Sequence, residues 1–183
     1  MIFAACKKDT PCTHQEYFYD IPADELEVIP YKSFDTLTFI RTNTNDTFIF
    51  YGNNWSYGYY NSTNNIPECT STENRKTRTL QFSCIVINSA LKIEQRIPEG
   101  FTSTSTFQIN FNNSLFEDNA SDIKNTKPDY LNLQIQNFVY ENVYTFSSFS
   151  SVNAINKCFY SKQYGIIKMQ LKNGEIWELL NKK

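Results

Sequence analysis

The sequence has a single histidine, His14, and no Cys-x-x-Cys pair. Zinc sites and Cys–His nucleophiles depend on these residue types, so the sequence does not offer the residues that either kind of site needs. The Gly-x-Ser-x-Gly turn of serine hydrolases is also missing, and a serine triad would have to recruit His14 from a polar N-terminal segment. We therefore expect no catalytic residue, no metal and no cofactor.

The low content of glycine and proline, the lack of long apolar runs and the small net charge exclude further classes of protein. With 5 Gly and 6 Pro in 183 residues, the chain is neither collagen-like nor a low-complexity linker. It has no apolar run of the roughly 18 residues that a membrane-spanning helix needs. A net charge of −2 gives little attraction to nucleic acid or to an anionic membrane surface, so we expect no nucleic-acid partner.

Aromatic residues are abundant instead, at 16% of the chain, with 15 Phe and 12 Tyr. Aromatic and β-branched side chains fit the pleated, half-buried surface of a sheet. Short runs of such residues recur between positions 35 and 180, and no stretch keeps a helical period over three turns. The sequence predicts an all-β fold: an antiparallel, strongly curved sheet, sandwich or open barrel with at most a short helical turn.

The chain divides into a lipidation site and tether, residues 1–28, and a single antiparallel β domain, residues 29–183. One core can be built at this length. Residues 7–28 are polar and punctuated by proline, which is typical of a tether. Two further polar stretches, 61–76 and 112–129, are expected to be loops, the second with one helical turn at 115–118.

The last hairpin permits a prediction of register, because Asn-Gly at 173–174 is a strong turn signal. A two-residue loop would place Trp177 on the face of Lys168. A three-residue loop with the glycine in a left-handed bulge places Trp177 on the face of Met169 and pairs Lys168 with Glu178. We predict the three-residue loop, because a slip of one residue would turn the whole apolar set to solvent.

The N-terminus reads Met-Ile-Phe-Ala-Ala-Cys-Lys-Lys-Asp, with small residues at Ala4 and Ala5 before Cys6. This resembles the lipobox of bacterial lipoproteins, and its Cys-Lys-Lys-Asp continuation is similar to those of Bacteroidota. The resemblance implies a diacylglycerol on the Cys6 thiol and an outer-membrane anchor, with the domain facing either the periplasm or the exterior. Phe3 stands where the family usually has Leu. The basic start and apolar stretch of a signal peptide are missing from the sequence, and we expect them upstream of Met1. The alternative is that Met1 is the true start and Cys6 is a plain thiol.

A second resemblance lies in the last strands. The segments Phe138-Val-Tyr-Glu-Asn-Val-Tyr144, Phe159-Tyr-Ser-Lys-Gln-Tyr-Gly-Ile-Ile-Lys168 and Gly174-Glu-Ile-Trp-Glu-Leu-Leu180 are similar to the closing strands of many uncharacterised Bacteroidota lipoproteins. Ser161 and Gln163-Tyr164 depart from that pattern. The resemblance implies a β fold of the kind seen in curved-sheet lipoprotein carriers, and it carries no activity across.

Without Cys6, the five cysteines reduce to Cys12, Cys69, Cys84 and Cys158. An even set in an oxidising compartment is typical of disulfides, and four cysteines allow three pairings. Cys12 and Cys69 lie in polar segments and form our candidate disulfide, which would fasten the tether to the domain. Cys84 and Cys158 lie in strand-like runs, so we expect each to act as a small buried hydrophobic residue.

One segment suggests a partner. In an extended strand Trp55, Tyr57 and Tyr59 project from one face, and such an aromatic stripe can stack sugar rings or contact a protein. The alternative is that the stripe covers the core, as most large aromatic residues do. Two charged clusters, Asp24-Glu25 and Arg75-Lys-Thr-Arg78, are expected to be solvated.

Together these observations predict an envelope lipoprotein held at the membrane by a lipid on Cys6. It would act as a non-enzymatic binding or assembly module for a glycan, a lipid or an envelope protein. The alternative is an envelope hydrolase whose carboxylates or serine converge only in the fold. An enzyme needs at least two titratable groups within hydrogen-bond reach, whereas a binding module needs an apolar or aromatic surface with few charges.

The anchor is tested by replacing Cys6 with Ser, which removes the thiol that would receive the lipid. Expressed behind a signal peptide, the Cys6→Ser variant should move from the membrane to the soluble fraction. The Cys12→Ser variant is the matched control and should stay with the membrane. If the Cys6→Ser variant fractionates like the unmodified chain, Cys6 is not the anchor.

Overall fold

A single sheet of thirteen strands forms the domain in the computed structural model, which describes residues 14–66, 69–100, 103–111, 114–147 and 155–183. This confirms the predicted all-β class. The strands are β1 Gln15–Tyr19, β2 Thr36–Arg41, β3 Asp46–Gly52, β4 Ser56–Ile66, β5 Cys69–Cys84, β6 Ser89–Arg96, β7 Thr106–Phe111, β8 Ser114–Asn119, β9 Tyr130–Ile135, β10 Phe138–Ser147, β11 Ile155–Ser161, β12 Gly165–Leu171 and β13 Ile176–Lys182. Within the same described residues two short helices occur, α1 Ala23–Leu26 and α2 Ala120–Asn125.

The strand order is β8-β7-β6-β5-β3-β2-β13-β12-β11-β10-β9, with β1 and β4 also paired to β5. The pairs along this order are antiparallel, and β1 is parallel to β5. The sheet curves strongly, because the ring centroids of Phe107 on β7 and Phe146 on β10 approach to 6.1 Å although the strands are far apart in the order. The described strands do not close into a barrel, since β8 and β9 remain at the two ends of the order.

The inside of this curve is an aromatic and aliphatic core. Alternating residues of the predicted strands point inward, as a period of two requires. They include Leu37, Phe39, Phe48, Phe50, Leu80, Phe82, Leu91, Ile93, Phe107, Ile109, Phe111, Ile167, Met169 and Trp177, all buried. Cys84 and Cys158 are buried without a bridge, as expected. Cys6, Cys12 and the side chain of Cys69 lie outside the described residues.

Strand β5 belongs to two parts of the fold. Its second half, from Thr77 to Cys84, pairs with β6, and residues 82 and 83 also pair with β3. Its first half pairs with β4 over eleven positions, from Ile66↔Cys69 to Ser56↔Thr79, and with β1 on the other edge. We call the unit formed by β1, β4 and residues 69–79 of β5 the ribbon.

The ribbon differs from the expected loop at 61–76. The described residues of this stretch, 61–66 and 69–76, are mostly polar, yet they pair as parts of β4 and β5 through the backbone, which needs no apolar face. Strand signals in sequence come from apolar residues that alternate toward one buried face. The side chain that the described part of this stretch buries is that of Arg75, so there is no apolar alternation to detect.

Two other segments also differ from expectation. Residues 15–28, expected as tether, supply β1, α1 and the buried side chains of Ile21 and Val28. Their contacts are made with distant strands, so no local periodicity reveals them. In the expected loop at 112–129, residues 115–118 lie in strand β8 and the helix, α2, begins at Ala120. Phe116 and Ile123 are buried there, so this polar stretch contributes side chains to the core.

The predicted three-residue loop of the last hairpin is confirmed. The Leu171 N–H donates to the Glu175 carbonyl at 2.8 Å, and Gly174 between them has a φ of +86°. Lys168 lies opposite Glu178, with 2.8 Å between Nζ and Oε1. On the other face Trp177 is only 4% exposed and lies opposite Met169.

Substitution of Trp177 therefore tests whether the core is packed as described. Its ring stacks on Phe48 at 4.8 Å and meets Phe111 edge-on at 5.7 Å. The Trp177→Ala variant should lose about 3–5 kcal/mol of unfolding free energy in chemical denaturation, because a large cavity is left. The Tyr51→Ala variant, at an exposed aromatic position of β3, should stay within about 0.5 kcal/mol of the unmodified chain. Equal losses in the two variants would contradict the described core.

Candidate functional site

The ribbon places two of the predicted aromatic residues on one face. Tyr57 lies opposite Arg78, and Tyr59 lies opposite Lys76, in the β4–β5 ladder. Directly paired residues of an antiparallel ladder share a face, and so do residues two apart on one strand. Tyr57 and Tyr59 therefore project from the same side of the ribbon, with exposed fractions of 65% and 48%.

A third ring joins them from β1 across the ribbon. Phe18 pairs with Asn74 on β5, and its ring meets the Tyr59 ring edge-on, with 5.9 Å between centroids. Phe18 is 62% exposed. We call Phe18, Tyr57 and Tyr59 the aromatic patch. Sequence reasoning missed Phe18, because it lies in the segment expected to be tether and only the parallel pairing of β1 brings it to Tyr59.

Polar contacts hold the patch in place. The Lys76 ammonium lies 3.0 Å from Asp20 Oδ1, and the Tyr59 hydroxyl donates to the same oxygen at 3.3 Å. The hydrogen bond to Asp20 raises the pKa of Lys76, so this lysine stays charged at neutral pH. The Asp20–Lys76 pair adds no net charge to the patch and fixes the Tyr59 ring over the ribbon.

Trp55 has a different environment from its two predicted companions. It precedes β4 and packs against the core, partly buried. Its indole N–H donates to the Tyr31 carbonyl at 3.2 Å, and the Arg78 guanidinium lies 4.7 Å from the ring centroid. The two alternatives for the stripe therefore apply to different residues: Trp55 covers the core, while Tyr57 and Tyr59 are exposed.

Beneath Trp55 lies a buried polar network. Arg78 donates from Nη2 to the Leu26 carbonyl at 2.6 Å and from Nε to Gln95 Oε1 at 2.9 Å. Gln95 Nε2 donates to the Glu25 carbonyl at 3.0 Å and to Ser105 Oγ at 2.7 Å. Burial lowers the pKa of Arg78. These bonds join α1 to strands β5 and β6 and to the segment before β7.

The expectation that both charged clusters are solvated is wrong for three of their residues. Glu25 is 5%, Arg75 2% and Arg78 8% exposed. Arg75 donates to the Pro98 carbonyl at 2.8 Å, forms an ion pair with Glu73 and lies 4.8 Å from the centroid of the Tyr19 ring. Charged side chains are buried when partners satisfy them. Except for Glu73, which is two positions from Arg75 on the same strand, the partners here come from distant segments.

In this network a carboxylate, that of Glu25, lies within hydrogen-bond distance of a serine, Ser105. The hydrolase alternative requires such a pair. Glu25 Oε2 accepts from Ser105 Oγ at 2.6 Å and from the Ser105 N–H at 2.7 Å. The Ser105 hydroxyl also accepts the bond from Gln95, and Ser105 and Gln95 are both 0% exposed. A nucleophile must reach its substrate. This serine, enclosed and bonded on both sides, instead ties α1 to the segment before β7.

Among the described residues, no group of three His, Cys, Asp or Glu side chains could hold a metal ion. In the same part of the chain, no helix has the length and apolar character needed to cross a membrane. No protein-family model, curated protein or solved structure matches the chain. The arrangement of side chains is therefore the basis for inferring function.

The buried network predicts that replacing Glu25 lowers the free energy of unfolding much more than replacing the adjacent Asp24. Glu25→Ala leaves the Ser105 N–H and O–H without their acceptor, and each buried unsatisfied donor costs about 1–3 kcal/mol. We expect the free energy of unfolding to fall by about 2–4 kcal/mol in urea titrations.

Asp24→Ala is the matched control for this prediction. Asp24 forms an ion pair with Lys124 on the surface, with 60% of its side chain exposed. Such a pair contributes about 0–1 kcal/mol. If the two substitutions destabilise the domain equally, the Glu25–Ser105 contact does not hold the fold.

Proposed function

We propose that this chain is a non-enzymatic binding module of the bacterial envelope, anchored by a lipid on Cys6, and that the aromatic patch holds a glycan. The observation that carries the proposal is the patch itself: Phe18, Tyr57 and Tyr59 expose 48–65% of their surface on one face of a ribbon that extends from the core. Grouped exposed apolar rings are typical of interaction surfaces.

Folding does not account for these rings. Tyr57 is 65% exposed, and the described side chains of its strand, residues 56–63, are all exposed or half-buried. Phe18 contacts Tyr59 only through a ring edge. Aromatic side chains provide a large contact area at little cost in side-chain entropy, which suits a binding surface.

A glycan fits the chemistry of the patch better than a lipid does. A sugar ring presents a flat face of C–H groups beside hydroxyl groups, and it can stack on an aromatic ring while its hydroxyls bond to nearby polar atoms. The tyrosine hydroxyls, Asn74 and the Asp20–Lys76 pair provide such atoms on the same face. A lipid chain would need a deeper apolar surface than this open ribbon offers.

The proposed anchor is close to the patch along the chain. Cys6 precedes Gln15, the first residue of β1, by nine positions. A fully extended chain of that length spans at most about 32 Å. Because β1 also carries Phe18, an anchored domain would keep the patch within reach of polymers next to the membrane.

The test is retention on envelope polysaccharides. In affinity electrophoresis with purified peptidoglycan fragments and capsular polysaccharide, the double variant Tyr57→Ala/Tyr59→Ala should bind about tenfold more weakly than the unmodified chain, because two stacked rings are lost. Its melting temperature should stay nearly unchanged, since both rings are exposed. Tyr51→Ala, which removes an exposed tyrosine of β3 outside the patch, should bind normally.

Two outcomes would contradict the proposal. One is the absence of saturable retention of the unmodified chain on any envelope polysaccharide. The other is an equal loss of retention in the Tyr51 variant, which would make the patch one exposed aromatic surface among others. Retention that survives glycan digestion but is abolished by protease treatment of the envelope fraction would assign the patch to a protein partner instead.

A further inference from the structure

The β9–β10 hairpin folds back across its own sheet. Strand β10 pairs with β11 only from Val143 onward, and the preceding residue, Asn142, has a φ of +50°. Asparagine tolerates this left-handed conformation better than most residues, and here it bends the strand. Beyond the bend, Gln136 Nε2 donates to Glu178 Oε2 at 3.3 Å, and the Tyr140 hydroxyl donates to the Leu179 carbonyl at 3.3 Å. The hairpin thus reaches β13, three strands away in the sheet order.

A cleft of about 310 Å³ lies between the hairpin and β13. Its apolar walls come from Phe138 and Val139 on the hairpin, Leu179 and Leu180 on β13, and Tyr164. The pairing of β13 with β2 shifts between Leu179 and Asn181, so Leu180 is the extra residue of a β-bulge. Bulges redirect side chains, and this one contributes Leu180 to the cleft.

Lys182 is the one charged residue among the nine that line the cleft. Its ammonium donates to the Pro30 carbonyl at 3.0 Å and to the Gln163 carbonyl at 3.2 Å. The ammonium has three N–H donors, two of which are used in these bonds, and Nζ also lies 5.5 Å from the centroid of the Tyr31 ring. A ring is a weaker partner than a carboxylate, so an anionic ligand could still accept from the third donor. Burial lowers the pKa of Lys182, with the Asp35 carboxylate acting in the opposite direction. No described carboxylate lies within ion-pair distance of Lys182.

We propose that this cleft binds a small amphipathic carboxylate, with the carboxylate on Lys182 and the apolar body against Phe138, Val139 and Leu180. Partly buried cations in proteins are usually paired, and an anionic ligand would complete the pair. The volume is at the lower end for ligand clefts, which limits the ligand to a short acyl or single-ring acid.

The charge of the cleft sets the ligand class. A neutral apolar molecule would leave the Lys182 donor without an acceptor, whereas a phosphate or dicarboxylate would bring more charge than one lysine balances. A monocarboxylate meets both conditions. None of the aromatic-patch residues lines this cleft, so the site is independent of the proposed glycan surface.

The experiment titrates the full chain with 3-phenylpropanoate and hexanoate, followed by two-dimensional amide NMR. The uncharged analogues 3-phenylpropan-1-ol and hexan-1-ol serve as matched ligands. Both acids should give saturable shifts at residues around the cleft and should bind at least about tenfold more tightly than the alcohols, because a charge-assisted hydrogen bond is lost in the alcohols.

Variants assign the effect to the cleft. Lys182→Met keeps the length of the side chain and should weaken binding of the acids about tenfold, while Lys182→Arg should preserve most of it. Lys172→Met, which removes a lysine from the β12–β13 turn, should have no effect. Phe138→Ala changes an exposed ring and should weaken both acids without unfolding the domain. Tyr57→Ala should leave acid binding unchanged even if it abolishes glycan retention.

The proposal is overturned by equal affinity for acids and alcohols, by equal effects of Lys182→Met and Lys172→Met, or by the absence of saturable shifts. If Lys182→Met fails to fold, Phe138→Ala decides: unchanged acid binding in that variant would exclude the cleft as the site.

Discussion

The burial of Arg78 is the constraint on which the junction between sheet and ribbon depends. Its guanidinium needs acceptors wherever it is taken out of water, and it finds them on Leu26 and Gln95, with the Trp55 ring over its face. Removing one partner of a buried charge costs several kcal/mol, so these contacts persist together. They fix α1, β6 and the start of β4 to β5.

The core contacts and the proposed binding surface consequently involve different side chains of β5 and its neighbours. From Leu80 onward the strand buries alternate side chains in the core. Before Arg75 its backbone pairs with β4 and β1 on its two edges. Backbone pairing gives a straight, polar support that does not depend on which side chains it displays. Tyr57 and Tyr59 lie opposite Arg78 and Lys76, between these two parts of β5, and both rings are exposed. A substitution of either ring is therefore expected to change the proposed binding surface with little effect on folding.

The sequence predicted the parts of the fold that have local signals. Alternation and the Asn-Gly turn gave the closing hairpin with its register, and the same period of two placed Tyr57 and Tyr59 on one face. It could not reveal the burial of Arg78, because the partners of this residue are up to 52 positions away. Phe18 and the cleft at Lys182 were missed for the same reason. Long-range pairing creates both, and neither leaves a pattern along the chain.

The parallel strand β1 links the tether to the proposed binding surface. It is held to the ribbon by five residue pairs, and its Phe18 forms part of the patch. A glycan that contacts both Phe18 and Tyr59 would bind only while β1 is paired with β5. Binding and pairing then stabilise each other by linkage, because a ligand favours the state that it contacts. Tension transmitted from an anchor at Cys6 would act on β1 first and would weaken the same surface. In an anchored domain, the affinity for the glycan would therefore decrease when force is applied to the chain between Cys6 and β1.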